Sequence, residues 1–119
     1  MKIAAVITAK TLEEALSDIK SAEGADLIEL RLDYLTSIDY GLLKKIIDRS
    51  KERKVSVLVT NRKESEGGNF IGSEEERLKI LKTAADLGAD FVDIEFSSAR
   101  NLDLSAYGKV IVSLHDFTE

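Results

Sequence analysis

The sequence predicts an α/β fold in which strands and helices alternate around a parallel sheet, and three observations predict it. Apolar runs of strand length recur at residues 2–8, 26–33, 55–61, 90–96 and 109–115. Apolar residues at helical spacing fill most of the gaps between them. The segment Gly24-Ala25-Asp26-Leu27-Ile28-Glu29-Leu30 also returns as Gly88-Ala89-Asp90-Phe91-Val92-Asp93-Ile94, a separation that covers two βα units. Strict β-α-β alternation implies parallel strands joined by right-handed crossovers.

The elements follow in order. Leu12, Ala15, Leu16, Ile19 and Ala22 share one helical face, and Thr11 with Glu14 reads as a capping box. Leu42, Leu43, Ile46 and Ile47 mark a second helix entered from Asp39. Ser73 and Glu76 form another capping box, ahead of a helix carrying Leu78, Leu81, Ala84 and Ala85. Gly24 and Gly88 stand where helix C-caps belong. The connection at residues 97–108 is short and weakly periodic, and only the alternation predicts a helix there.

Composition narrows the function. A chain of 119 residues, 44% apolar and 33% charged, predicts one soluble domain spanning residues 1–119 with a real hydrophobic core. The net charge of −5, with acids and bases interspersed, argues against nucleic acid and anionic membrane as partners. The absence of cysteine excludes disulfides, thiolate metal sites and cysteine nucleophiles. The apolar run at residues 2–7 is shorter than a secretory signal or membrane span needs, so a cytoplasmic location is expected.

Side chains alternate between the two faces of a strand. Ile28, Leu30 and Leu32 oppose Glu29, Arg31 and Asp33; Val55, Val57 and Val59 oppose Ser56, Leu58, Thr60 and Arg62. Val92, Ile94 and Phe96 oppose Phe91, Asp93 and Glu95, and Val110, Val112 and Leu114 oppose Ile111, Ser113 and His115. One parity is aliphatic, and the other turns polar toward the strand C-termini. An open doubly wound sheet, covered by helices on both faces, should be apolar in both parities. A (β/α)₈ barrel of the TIM type points one parity inward and gathers its functional groups at the C-terminal ends of the strands. The expected fold is such a barrel, with this chain covering about (βα)₄β5 and the C-terminal barrel half outside it. Glu29, Arg31, Arg62, Asp93, Glu95 and His115 would then converge. Buried charges are costly unless paired, so structural ion pairs, such as Glu29 with Arg62 or Arg31 with Asp93 or Glu95, are the alternative use of these residues.

The residues that converge also carry a resemblance. Glu29-Leu30-Arg31-Leu32-Asp33, Thr60-Asn61-Arg62 followed by Glu66-Gly67-Gly68, Asp93-Ile94-Glu95, and Ser113-Leu114-His115-Asp116-Phe117 resemble the type I 3-dehydroquinate dehydratases, in the family's order. The resemblance covers essentially the whole chain. It implies elimination of water from 3-dehydroquinate to give 3-dehydroshikimate, in the shikimate pathway of aromatic amino acid biosynthesis, with no metal or cofactor. A lysine Schiff base to the substrate ketone would act as electron sink. By motif match, His115, the only histidine in the chain, would be the general acid/base, and Glu66 would orient it. Glu29, Arg31 and Arg62 would bind the polyhydroxylated substrate, with Thr8, Asp93, Glu95 and Ser113 in support.

The family's Schiff-base lysine lies on a sixth strand, which this sequence does not reach. Lys63 and Lys109 do not fit its place. The 119 residues alone are therefore expected to be inactive, and the open edges of a part-barrel are expected to drive homo-oligomerisation or pairing with a complementing chain. Three alternatives are weighed against this reading. They are another barrel lyase or aldolase, a non-catalytic half-barrel partner, and a receiver-like signalling domain of flavodoxin-like fold. The last requires an acidic pair after the first strand, where this chain has Thr8-Ala9-Lys10.

Overall fold

The computed structural model describes residues 2–114. Its elements are β1 (Ala4–Ile7), α1 (Leu12–Ser21), β2 (Leu27–Arg31), α2 (Tyr40–Glu52), β3 (Ser56–Thr60), α3 (Glu74–Asp86), β4 (Phe91–Glu95), the single turn α4 (Phe96–Ala99) and β5 (Val110–Ser113). Short 3₁₀ turns follow β2 at Leu32–Tyr34, β3 at Glu64–Glu66 and α4 at Leu104–Tyr107. All strand pairs are parallel and the sheet order is β1-β2-β3-β4-β5.

That sequential order decides between the two five-strand candidates. A flavodoxin-like sheet runs 2-1-3-4-5, with helices on both faces. Here α1 packs on α2 and α2 on α3, as one layer against one face of the sheet. The receiver-like alternative is thereby overturned, and the strand arrangement is that of consecutive units of a (β/α)₈ barrel.

The aliphatic parity faces the helices as expected. Ile7, Ile28, Leu30, Val57, Val59, Val92 and Ile94 are buried against Leu12 and Ala15 of α1, Leu43, Ile46 and Ile47 of α2, and Leu81 and Ala84 of α3. Each large aliphatic side chain removed from water contributes about 1.5–3 kcal/mol, so this layer is the main stabilising term. At the β5 edge the same rule is unmet: Val112 and Leu114 are 47% and 79% exposed.

Several local expectations are corrected. The strands are shorter at both ends than their apolar runs. Phe96, expected to continue the apolar parity of β4, instead opens α4 and lies half exposed. Residues 97–108 hold only that turn and the Leu104–Tyr107 turn rather than a full helix. Ser73 and Glu76 form the complete capping box, but at α1 the Glu14 carboxylate accepts from Lys10 N–H instead of Thr11 N–H.

The repeated Gly-Ala-Asp segment has a structural counterpart. Asp26 precedes β2, and its carboxylate accepts the Ile3 backbone N–H at 2.7 Å, beside β1. Asp90 precedes β4, and its carboxylate accepts the Val57 N–H of β3 at 2.8 Å. In both cases the Asp N–H donates to the carbonyl of the same neighbour-strand residue. The repeat therefore staples the N-terminal end of one strand to its neighbour. Asp90→Ala should lower stability by about 1–3 kcal/mol, the range for a hydrogen bond to a charged group. Asp26→Ala should cost less, because its bond is exposed; urea unfolding of both variants checks the order.

Candidate active site

The inward parity of β2 to β5 carries the polar side chains, and at the C-terminal ends of these strands they pair with one another. The Thr60 hydroxyl of β3 donates to Glu29 Oε2 of β2 at 2.6 Å. Arg31, the last residue of β2, donates from Nε and Nη2 to the two oxygens of Asp33 at 3.0 and 2.8 Å, and its guanidinium lies 5.0 Å from the centre of the Tyr34 ring. The Asp33 hydrogen bond is the main reason that the Arg31 pKa is raised above its ordinary value.

Arg62 is the hub. Its Nη2 lies 2.8 Å from Asp93 Oδ2, and its Nη1 lies 3.2 Å from Glu95 Oε2. Nη1 also donates to Ser113 Oγ at 3.2 Å, and that hydroxyl donates to Asp93 at 3.0 Å. Arg62, Asp93 and Glu95 are all buried. Burial pushes the Asp93 carboxyl up, against the opposing charge of Arg62 and the Ser113 hydrogen bond.

A second arginine enters from the helix layer. Arg77 of α3 is 1% exposed and donates from Nη1 to both oxygens of Glu95, at 2.8 and 3.0 Å. Its remaining donors reach the Asn61 carbonyl, the Glu74 carboxylate and the Ser98 hydroxyl. The Arg77 hydrogen bond is the largest cause holding the Glu74 carboxyl down at about 2. For Arg77 itself, burial would lower the pKa, but the charges and hydrogen bonds of Glu74 and Glu95 outweigh it and raise the value. Removing one partner of such a buried pair costs about 3–5 kcal/mol, because the other is left as an uncompensated charge. The Oδ1 of buried Asn61 has no hydrogen-bond partner among the described residues.

The loop between β3 and α3 is folded tightly over this cluster. Gly67 adopts a left-handed φ of 82°. A Cβ on Gly68 would lie 2.1 Å from the Arg62 carbonyl oxygen, so no other residue fits there. Asn69 donates from its backbone and side-chain nitrogens to Asp33 Oδ2, at 3.1 and 3.4 Å. One carboxylate thus ties Arg31 to the loop that carries Glu66. Glu66 itself pairs with Lys63 at 3.2 Å and accepts from the Ser97 hydroxyl at 3.3 Å.

The structure therefore brings Glu29, Arg31, Arg62, Asp93, Glu95 and Ser113 to one end of the sheet. The specific pairs named for the alternative, structural use of these residues do not form: Glu29 bonds Thr60 rather than Arg62, and Arg31 bonds Asp33 rather than Asp93 or Glu95. Thr60 lies on the adjacent strand, and Asp33 lies two residues along the chain from Arg31. Thr8, exposed just past β1, joins none of these pairs among the described residues. His115 lies outside the described residues, so the expected orientation by Glu66 falls outside them too. Arg77 and Asn69 belong to none of the sequence motifs, and Asp33 stands in the first motif and in the polar parity of β2 without a role drawn from either. For Arg77 a signal exists, since it stands one and two turns before Leu81 and Ala84 on the buried face of α3.

The chain matches the family profile described as type I 3-dehydroquinase over residues 3–119. A 3-dehydroquinate dehydratase of Methanothermobacter thermautotrophicus is 40% identical over 123 residues, covering 99% of this chain and 54% of that protein. One from Coxiella burnetii is 34% identical over 118 residues, covering 98% of this chain and 49% of its own length. A crystal structure of the type I enzyme from Clostridium difficile superposes with a TM-score of 0.80 at 24% identity, over 99% of this chain and 52% of that one, and so shares its fold. The chain spans about half the length of the curated relatives it matches.

The depressed pKa of Glu74 has a consequence for acid stability. A carboxyl whose folded pKa is about 2 against an ordinary 4.5 stabilises the fold above pH 4.5 and loses that contribution as pH falls toward 2. Glu74→Gln should flatten this part of the stability curve, by no more than about 1 kcal/mol because the side chain is 45% exposed and screened. Urea titrations above pH 4.5 and near pH 2 measure it.

Proposed function

Because the chain belongs to the type I 3-dehydroquinase family, we propose that it forms the N-terminal part of a 3-dehydroquinate dehydratase, one partial-barrel unit whose polar interior binds 3-dehydroquinate. The Arg62 cluster at the C-terminal ends of β3, β4 and β5 is the observation that carries this reading. A guanidinium fixed by Asp93, Glu95 and Ser113 presents oriented N–H groups to a small hydroxy acid with little entropy left to lose. Arg31, held by Asp33 and Tyr34, is fixed in the same way, and Glu29 supplies an acceptor for substrate hydroxyls.

The proposed chemistry divides between two halves of a barrel. A lysine on the strands that complete the barrel condenses with the substrate ketone, releasing one water, and the resulting iminium acidifies the neighbouring C–H. His115, oriented by Glu66, takes that proton and returns it to the departing hydroxyl, so that water leaves. Hydrolysis of the iminium after the elimination frees the product and the lysine. No metal or other cofactor takes part. The completing strands come from sequence outside these 119 residues, in the same or another polypeptide, and they cover the exposed apolar side chains of β1 and β5. Alone, the 119 residues self-associate and do not turn over substrate. Among the described residues no helix is long and apolar enough to cross a membrane, and the site of action is the cytoplasm.

Co-production with the C-terminal half of the Methanothermobacter relative tests the reading. The chain alone should leave 3-dehydroquinate unchanged, and the combination should form 3-dehydroshikimate. Borohydride reduction should place the adduct on the complementing half, with none on Lys63 or Lys109. Arg62→Ala in the combination should lower kcat/KM by about a hundredfold, the scale of a misplaced binding group. Turnover by the chain alone, or full activity without Arg62, would contradict the proposal.

A further inference from the structure

We propose that Arg77 is a positioning residue for the substrate site, acting from the helix layer through Glu95 to set the guanidinium of Arg62. The proposal rests on the reading of Arg62 as a substrate-binding group and adds a determinant that lies in none of the motifs carrying the family resemblance.

The geometry is a three-member relay. Glu95 has two oxygens and two cationic neighbours. Arg77 Nη1 approaches Oε1 at 2.8 Å and Oε2 at 3.0 Å, and Arg62 Nη1 approaches Oε2 at 3.2 Å. The Arg77 and Glu95 side chains are each 1% exposed, so water does not substitute for either. The closer cation therefore dictates where the carboxylate sits, and the carboxylate, together with Asp93 and Ser113, dictates where Arg62 points.

Arg77 is itself held from behind. Its Nε and Nη2 donate to the two oxygens of Glu74 one turn earlier on α3, Nη2 also donates to Ser98 Oγ, and Nη1 also donates to the Asn61 carbonyl. A planar guanidinium satisfies all of these at once; the single ammonium of a lysine does not. Glu95 carries one negative charge between two positive ones. Without Arg77, Oε1 loses the only hydrogen-bond partner described for it, and Arg62 must turn from Ser113 and Asp93 to serve both oxygens.

The test observes Arg62 directly and uses no substrate. In the 119-residue chain, the guanidinium N–H signals of Arg62 are followed by ¹⁵N NMR in wild type, Arg77→Met, Arg77→Lys and Lys44→Met. The last breaks the exposed pair with Asp48 and matches the charge change. Arg77→Met should shift the Arg62 signals and speed their exchange with water by at least about tenfold, the factor lost with one charge-assisted hydrogen bond. The amide signals of β2 and β3 should stay in place. Arg77→Lys should give a smaller change in the same direction, and Lys44→Met none.

Unchanged Arg62 signals in a folded Arg77→Met or Arg77→Lys chain would overturn the proposal. Loss of the folded sheet in both variants would also overturn it, by assigning Arg77 to the fold alone. A barrel that fails to dehydrate 3-dehydroquinate would refute the functional reading while leaving this coupling measurable, so the two failures are distinguishable.

Discussion

Buried charge is the constraint on which this structure turns. A sheet covered by helices on one face can bury its aliphatic parity against them, but the other parity must go somewhere. Here it carries carboxylates and guanidinium groups that cost several kcal/mol per ion unless each finds a partner. The pairs Arg31–Asp33 and Glu29–Thr60 and the group Arg62–Asp93–Glu95–Ser113 meet that demand at one end of the strands. Side chains held this way keep their orientation, and fixed polar groups at the mouth of a barrel are what binding a small polar acid requires.

The two ends of the strands do different work. At the N-terminal ends, Asp26 and Asp90 spend their carboxylates on backbone N–H groups of the neighbouring strand, which locks the register that the barrel depends on. At the C-terminal ends, carboxylates hold cationic side chains instead. The β3–α3 loop links the two kinds of work. Gly68 lets its backbone touch Arg62, and Asp33 receives Asn69 while it orients Arg31.

Much of this was legible in the sequence because the signals are periodic and local. The apolar runs located all five strands, and the aliphatic parities of β2 to β5 showed which face the helices cover. Asp39 and the Ser73–Glu76 box marked helix starts that the structure keeps. The polar parity also holds Glu29, Arg31, Arg62, Asp93, Glu95 and Ser113, which lie together at the strand ends, while His115 of the same parity lies outside the described residues. Their partners were another matter. Whether Arg62 chooses Glu29 or Asp93 depends on side-chain reach across a twisted sheet, which alternation does not encode. Arg77 escaped notice because its stripe on α3 reads as apolar once Leu81 and Ala84 are counted, and an arginine on that stripe is ordinarily taken as solvated. Phe96 and the truncated fourth helix followed from a segment with weak periodicity, where tertiary contacts decide the ending.

The central claim is that Arg31, Arg62 and His115 address one small acid in a shared interior. The most direct measurement is a crystal structure of the chain joined to a complementing barrel half, with 3-dehydroshikimate bound. The account predicts a ligand within hydrogen-bond reach of both guanidinium groups, with the His115 imidazole on the interior side of its strand. A ligand bound elsewhere, or an imidazole on the helix-covered side, would contradict it.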